Sequence, residues 1–269
     1  MSSSWVPPEI DTATPSSARV YDVHLGGAHN FAADRELARD ATRVMPELPS
    51  LLQANRSFLR RGVEFLVAAG MRQFLDLGSG IPTVGNVHEI AHRTAPSSRV
   101  VYVDNDPVAT AHSRLLLGDV PGATAVQADL RDPDQVWTEA TRTDGLDPRF
   151  PIAVLAIAVL HFVPDTDNPA RILGRYTAPL TPGSYLAVSH ATAGEDHPER
   201  VREAAGLYAQ RIPGFTLRSR EQIAGFFGDL DLVDPGLVYL ELWRPDHDPQ
   251  ASAPGAELLP AYAGVATMR

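Results

Sequence analysis

The sequence predicts an α/β fold with a doubly wound, mostly parallel sheet. Three observations carry this: five short apolar runs, helical stretches between them, and aspartates that close successive runs. Runs this continuously apolar suit strands buried on both faces of a parallel sheet. With 269 residues, the chain fits one large domain or a domain with a lid. Hydrophobic residues at 44% and charged residues at 21% are in the ordinary globular balance, which excludes wholesale disorder.

The first 15 residues are rich in Ser, Pro and Thr and read as a loosely held arm. From Ser16 to Asn30 the chain is polar, with the pair Gly26 and Gly27, and a helix is expected from about Ala32 until Pro46 and Pro49 break it. Leu51, Leu52, Phe58, Leu59, Val63, Leu66 and Val67 recur at helical spacing, and Gly70 is a stop. The expected strands are Gln73 to Leu77, Arg99 to Val103, Ala123 to Gln127, Ile152 to Ile157 and Tyr185 to Ser189. Helices are expected between them over Asn86 to Thr94, Pro107 to Leu117, Pro133 to Thr141 and Ala170 to Ala178. Two more, Pro198 to Gln210 and Ser219 to Phe227, should follow, then a closing hairpin of Leu230 to Val233 and Leu237 to Trp243 around Asp234, Pro235 and Gly236. This divides the chain into an arm and helical lid at 1–70, a core at 71–245 and a tail at 246–269.

The first strand runs into Asp76-Leu77-Gly78-Ser79-Gly80-Ile81-Pro82. Gly78 and Gly80 remove side chains where the backbone turns from strand to helix, so that a ligand can approach Ser79 and its neighbours; tight turns also use glycine without binding anything. The dinucleotide fingerprint needs Gly or Ala where Thr83 stands, and Pro82 lacks an N–H for a pyrophosphate. Asp76 would repel a pyrophosphate but accept from an ammonium group. The second strand ends in Asp104-Asn105-Asp106-Pro107, where Asp104 suits two ribose hydroxyls and Asp106 suits a helix cap. After the third strand, Asp129 reads either as an acceptor for an adenine amine, with Leu130 packed on the ring, or as a turn residue. In a parallel sheet, Asp76, Asp104 and Asp129 share the edge where ligands of open α/β folds bind.

These motifs resemble class I S-adenosylmethionine-dependent methyltransferases: FLDLGSG the first motif, VVYVDNDP the second, AVQADLRD the third, and LAIAVLHFVPD the fourth strand and its sequel. PSSARVYDVHLGGAHNFAADRE, ANRSFLRRGVEFL, GIPTVGNVHEIA and VVYVDNDPVATAH further resemble the actinobacterial S-adenosyl methyltransferase family once carried as a domain of unknown function. The resemblance spans about Asp11 to Pro245 and implies a seven-stranded Rossmann-like methyltransferase sheet that binds S-adenosyl-L-methionine under an N-terminal helical cover. Pro82 departs from the third glycine of the general motif and leaves the path of the methionine tail open. A small-molecule methyl acceptor is expected. The alternative is a regulatory protein of the same fold that binds S-adenosylmethionine without turnover.

Methyl transfer asks for positioning, water exclusion and sometimes a base. His161, after the fourth strand, is the titratable candidate, read either as a base or as a loop-bonded histidine. His190, at the end of the fifth strand, and Arg19 are candidates for the acceptor side. Tyr21 and Asn30 read as partners of the methionyl tail, or as a packing residue and a helix cap. Asn55 and Arg56 are placed at the ligand edge or on a salt-bridged surface.

Composition excludes other chemistry. No cysteine is present, so disulfides, thiol catalysis and cysteine-ligated metals are ruled out. Nine histidines show no metal-ligand spacing, and no GxSxG elbow is found. A formal charge of -10 disfavours nucleic acid, and the apolar run Ile152 to Leu160 is too short to cross a bilayer. The opening MSSSWVPPEID does not read as a signal peptide, so a cytoplasmic location is expected.

Overall fold

A computed structural model describes residues 11–82, 85–142, 145–194, 198–246 and 258–269. Three helices come first: α1 (Ser17–His24), α2 (Ala32–Val44) and α3 (Leu48–Ala68). The alternating part follows as β1 (Gln73–Leu77), α4 (Val87–His92), β2 (Arg99–Asp104), α5 (Pro107–Leu117), β3 (Ala123–Gln127), α6 (Pro133–Ala140), β4 (Ala153–Ile157), α7 (Pro169–Thr177) and β5 (Tyr185–Ala191). The chain closes with α8 (Pro198–Arg211), α9 (Arg220–Ala224), β6 (Asp231–Leu232), β7 (Val238–Tyr239) and β8 (Ala261–Thr267).

The sheet runs β3-β2-β1-β4-β5-β8-β6, and β7 pairs with β8 off that path. Strands β1 to β5 are parallel, while β8 is antiparallel to β5, β6 and β7. This is the doubly wound, seven-strand path expected, with one two-residue strand added. The order reverses between β1 and β4, which opens a crevice at the carboxyl ends of those strands.

Apolar layers cover both faces. On one, Phe58, Val63 and Leu66 of α3 pack with Phe74, Leu155 and Trp243. On the other, Leu75 and Val154 meet Tyr176 of α7 and Phe226. The helical spacing read in α3 is therefore the spacing of its buried face: Leu51, Phe58, Leu59, Val63, Leu66 and Val67 are all buried. Because α3 contacts β4, β5 and β8, the N-terminal helices are one layer of the domain.

Two expectations are corrected. The hairpin around Asp234 does not form, since β6 and β7 each pair with β8 instead of with one another. The tail at 246–269 contains a core strand: six of the seven β8 residues are buried between β5 and β6. Its sequence, AYAGVAT, has little bulk to signal a strand, and packing is the reason for that. A side chain at Gly264 would meet Phe227 at 3.0 Å and Leu232 at 3.3 Å. Part of that tail, residues 247–257, lies outside the described residues, as do residues 1–10 of the arm and Thr83.

Val265 in β8 is fully buried opposite Ala187. Val265→Asp should destabilise the fold by more than about 4 kcal/mol, because a buried charge there has no partner. Urea denaturation checks this; an unchanged midpoint would remove β8 from the core.

Candidate functional site

A cleft of about 460 Å³ opens at the carboxyl ends of β1, β2 and β4. Asp76, Gly78, Ser79, Gly80, Asp104, Asn105, Asp129 and Leu130 all line it, as the sequence predicts, and Tyr21 closes it from α1. The glycines differ in purpose. At Gly78, with φ of 67°, a Cβ would stand 2.1 Å from Val159, so the glycine serves packing of the turn. Gly80 has the same φ but nothing within 4 Å of a Cβ position. Its bare backbone faces space that a ligand can enter.

Asp104 is buried, and its carboxylate accepts from the N–H of Gly80 at 2.7 Å and of Asp106 at 2.8 Å. Asp106 meanwhile caps α5 by accepting from Val108 and Ala109, so the two aspartates divide the jobs. Burial pushes Asp104 up to about 6, against the lowering effect of its N–H donors. Asp76 is also buried, yet no described residue donates a hydrogen bond to it. Burial pushes it up to about 7; Arg56 opposes the rise and Asp104 adds to it. A buried carboxylate without a donor, facing a cleft, is an environment that a cation relieves.

Asp129 is half-exposed, and Arg131 holds it through a double contact of the guanidinium at 3.0 Å while also reaching Asp167 at 3.2 Å. The Arg131 backbone N–H and Nη2 add contacts at 2.9 and 2.5 Å, so both carboxylate oxygens of Asp129 are already engaged and an adenine amine would have to share them with Arg131. Tyr21 bonds away from the cleft, donating to the Leu52 carbonyl at 3.3 Å and accepting from Asn55 at 2.9 Å.

Asn55 extends a chain that was not foreseen. Ser189 donates to the Asn55 side-chain oxygen at 2.6 Å and accepts from the Ala158 N–H at 2.9 Å. Ala158, with φ of 53°, sits in the left-handed region immediately after β4, where a non-glycine residue is strained. The chain Tyr21–Asn55–Ser189–Ala158 thus ties α1 and α3 to the ends of β5 and β4. The one sequence signal for it was Ser189, a polar residue closing an apolar strand.

Beyond this chain lies a smaller apolar chamber of about 80 Å³ lined from α1, α3 and α8. Tyr21, Asn55, Ala158 and Phe162 line both spaces. The two histidines predicted for chemistry lie here, not in the cleft. His161 is buried, and burial, then His190, then Arg218 hold its pKa well below 6.5, so it is neutral at ordinary pH. A ring so held is a weaker base than an ordinary imidazole, which counts against the reading of His161 as a base. His190 bonds Ala191 O through Nδ1 at 2.7 Å and Arg218 through Nε2 at 2.8 Å. Both ring nitrogens are occupied, so His190 has none left for an acceptor. Its partner Arg218 is buried and also holds the Leu160 and Val163 carbonyls and Asp165, fixing the loop after β4.

Two other predicted residues line neither space. Arg19 is spent on a buried pair with Asp34 at 3.1 Å and approaches Asp106 at 3.7 Å, which locks α1 to α2 and to the start of α5. Asn30 donates to Asp22 at 2.9 Å and to Gly27 O at 3.0 Å, and its oxygen accepts from Arg35. It staples the glycine turn; the backbone N–H that begins α2 is met by Asp34 at 2.8 Å. Short polar side chains next to a glycine turn look alike in sequence whether they face a ligand or one another. Arg56, near Asp76, donates to the Gly85 carbonyl at 2.8 Å.

Asp76→Asn tests the electrostatics directly. A carboxyl whose folded pKa lies above its unfolded value of 3.8 favours the fold at low pH, and that contribution is lost as pH rises through about 7. The variant should match the parent at pH 4 and be more stable at pH 8 by about 2–4 kcal/mol. Urea titrations at both pH values measure the difference; equal stability at pH 8 would mean that Asp76 is not strained by burial.

Comparison with known proteins shows the family and the fold. The sequence profile of the S-adenosyl methyltransferase family matches residues 3–269. A provisionally named methyltransferase from Thermobifida fusca YX superimposes with a TM-score of 0.90 at 40% identity, covering 99% of this chain and 100% of that one. A DUF574 family protein from Streptomyces avermitilis gives 0.90 at 41% identity, covering 96% and 99%. A provisionally named S-adenosyl-L-methionine-dependent methyltransferase from Mycolicibacterium smegmatis is 32% identical over 210 residues, which is 76% of this chain but 63% of that protein. The chain thus spans less than two thirds of that relative's length.

Proposed function

The chain belongs to the S-adenosyl methyltransferase family, and we propose that it transfers the methyl group of S-adenosylmethionine to a small-molecule acceptor. The observation that carries this reading is Asp76, a buried carboxylate without a donor on the edge of a cleft where Gly80 leaves the backbone open. When bound, S-adenosylmethionine supplies a methyl group already activated on a sulfonium.

The chain's own residues bind and orient. Asp76 accepts from the ammonium group of the methionyl tail, and Gly78, Ser79 and Gly80 present backbone to it. Asp104 takes the ribose hydroxyls beside Asn105, using the lone pairs not engaged by Gly80 and Asp106. Leu130 packs on the adenine, with Asp129, fixed by Arg131, at its amine edge. Helices α1 and α3 exclude water through the Tyr21–Asn55–Ser189 chain, and the chamber beyond it receives the acceptor. Among the described residues no group of three or more His, Cys, Asp or Glu side chains that could hold a metal ion occurs. Nor is any described helix long and apolar enough to cross a membrane.

S-adenosylmethionine and S-adenosylhomocysteine should each raise the melting temperature, whereas NAD should not. Stabilisation by NAD alone would overturn the assignment. Asp104→Ala should weaken S-adenosylhomocysteine by about 2–3 kcal/mol, or roughly a hundredfold, in isothermal titration. An unchanged affinity in a folded variant would place the ribose elsewhere.

A further inference from the structure

The chamber beside the cleft has no charged wall. No Asp, Glu, Lys or Arg lines it among the described residues; Met45, Leu48, Leu51, Val201, Tyr208 and Phe215 form most of its surface. Tyr208 of α8 and His24 of α1 share a hydrogen bond of 3.1 Å that closes one side. A charged acceptor entering here would lose its hydration with nothing to replace it. An uncharged, largely apolar one would gain from burial. In its present packing the chamber holds about 80 Å³. Since a cavity of about 150 Å³ takes benzene, one aromatic ring fits once a flexible wall residue such as Met45 yields.

The polar groups in the chamber also select the nucleophile. Around His161 stand His190 on β5, Arg218 ahead of α9, and the hydroxyls of Tyr21 and Tyr208. None is a carboxylate that would stabilise an imidazolium. The N–H of Ala191 points at Nδ1 of His161 from 3.5 Å, which puts the ring proton on Nε2. Nε2 has no partner among the described residues, so His161 presents a donor to the chamber rather than a base. An aliphatic alcohol, which holds its proton about as tightly as water, would have no group here to remove it. A phenol, with a pKa of about 10 in water like that of tyrosine, is several powers of ten more acidic. Burial raises its pKa, as it does for Tyr21 and Tyr208, yet a small ionised fraction forms without a base, and a donor from His161 favours it.

Resting on the methyl-transfer reading above, we propose that the acceptor is an uncharged, mostly apolar small molecule with an acidic hydroxyl, a phenol or enol, whose oxygen meets the Nε2–H of His161. The hydroxyl proton leaves to solvent through the cleft. The resulting oxygen anion, held by His161, forms a bond to the methyl carbon as the carbon–sulfur bond breaks. The electron pair of that bond stays on sulfur, so the products are a methyl ether and neutral S-adenosylhomocysteine.

The test uses the full chain and five probes: the uncharged phenols 4-ethylphenol and 2,6-difluorophenol, benzyl alcohol, and the charged 4-hydroxybenzoate and benzylamine. S-adenosylhomocysteine binding is measured first, and its absence would overturn the cofactor reading together with this one. With that complex formed, 4-ethylphenol should bind and be methylated on oxygen, the two charged probes should bind at least tenfold more weakly, and benzyl alcohol should react about a hundredfold more slowly. The apparent pKa of the rate should fall when 2,6-difluorophenol, a more acidic phenol, replaces 4-ethylphenol. Ala204→Leu, which fills the chamber away from the cleft, should abolish phenol binding and leave S-adenosylhomocysteine affinity unchanged. Failure of both phenols to bind the complex, a preference for a charged probe, equal rates for benzyl alcohol, a rate pKa independent of the acceptor, or undiminished phenol binding in the variant would each overturn the inference while the cofactor reading stands.

Discussion

The site depends on a carboxylate that the fold buries without giving it a donor. Asp76 sits buried at the cleft end of β1, in register with Tyr102 on β2 and Leu155 on β4. Its neighbours in charge are Arg56, which opposes the rise in its pKa, and Asp104, which adds to it. Any fold that placed these two carboxylates at the switch point for stability alone would supply N–H groups to both. Here they reach only Asp104, through Gly80 and Asp106, and Asp76 is left to whatever enters the cleft. Burial raises the pKa of Asp76, and a cationic ligand in the cleft would relieve that unfavourable environment, the pattern expected of a binding site.

Around that pair the structure separates a polar space from a dry one. The cleft is lined by aspartates, arginines and exposed backbone, and the chamber by aliphatic and aromatic side chains. The boundary is the chain from Tyr21 through Asn55 and Ser189 to the strained Ala158. Each member spends its hydrogen bonds on the next, which allows polar groups to stand in an apolar wall without a desolvation penalty. The same chain sets α1 and α3 against the strand ends. The cover over the site is therefore held by specific bonds as well as by the apolar face of α3.

Much of this was legible because continuous apolar runs and terminal aspartates are strong signals. Strands β1 and β3 begin and end at the expected residues, and the glycine loop and its acidic partners meet in one cleft. What sequence reading missed has a common physical origin: the deciding partner is far away in the chain. Strand β8 is built of small residues because Phe227, Leu232 and Leu237 crowd it, and small residues resemble a tail. Helix α1 hid in a polar stretch because its Arg19 and Asp22 are buried by Asp34 and Asn30, not by apolar neighbours. The histidines were placed at the right strand ends, but their protonation is set by burial and by Arg218, 57 and 28 positions later in the chain.

The central claim is that a cation bound in the cleft draws Asp76 into its ionised form. Isothermal titration of S-adenosylmethionine at pH 6.5, in two buffers of different ionisation enthalpy, measures the proton that this displaces. With Asp76 at about 7 in the free protein, binding should release about half a proton or more per site, and Asp76→Asn should abolish the release. Binding with no proton released, or with one taken up, would contradict the account.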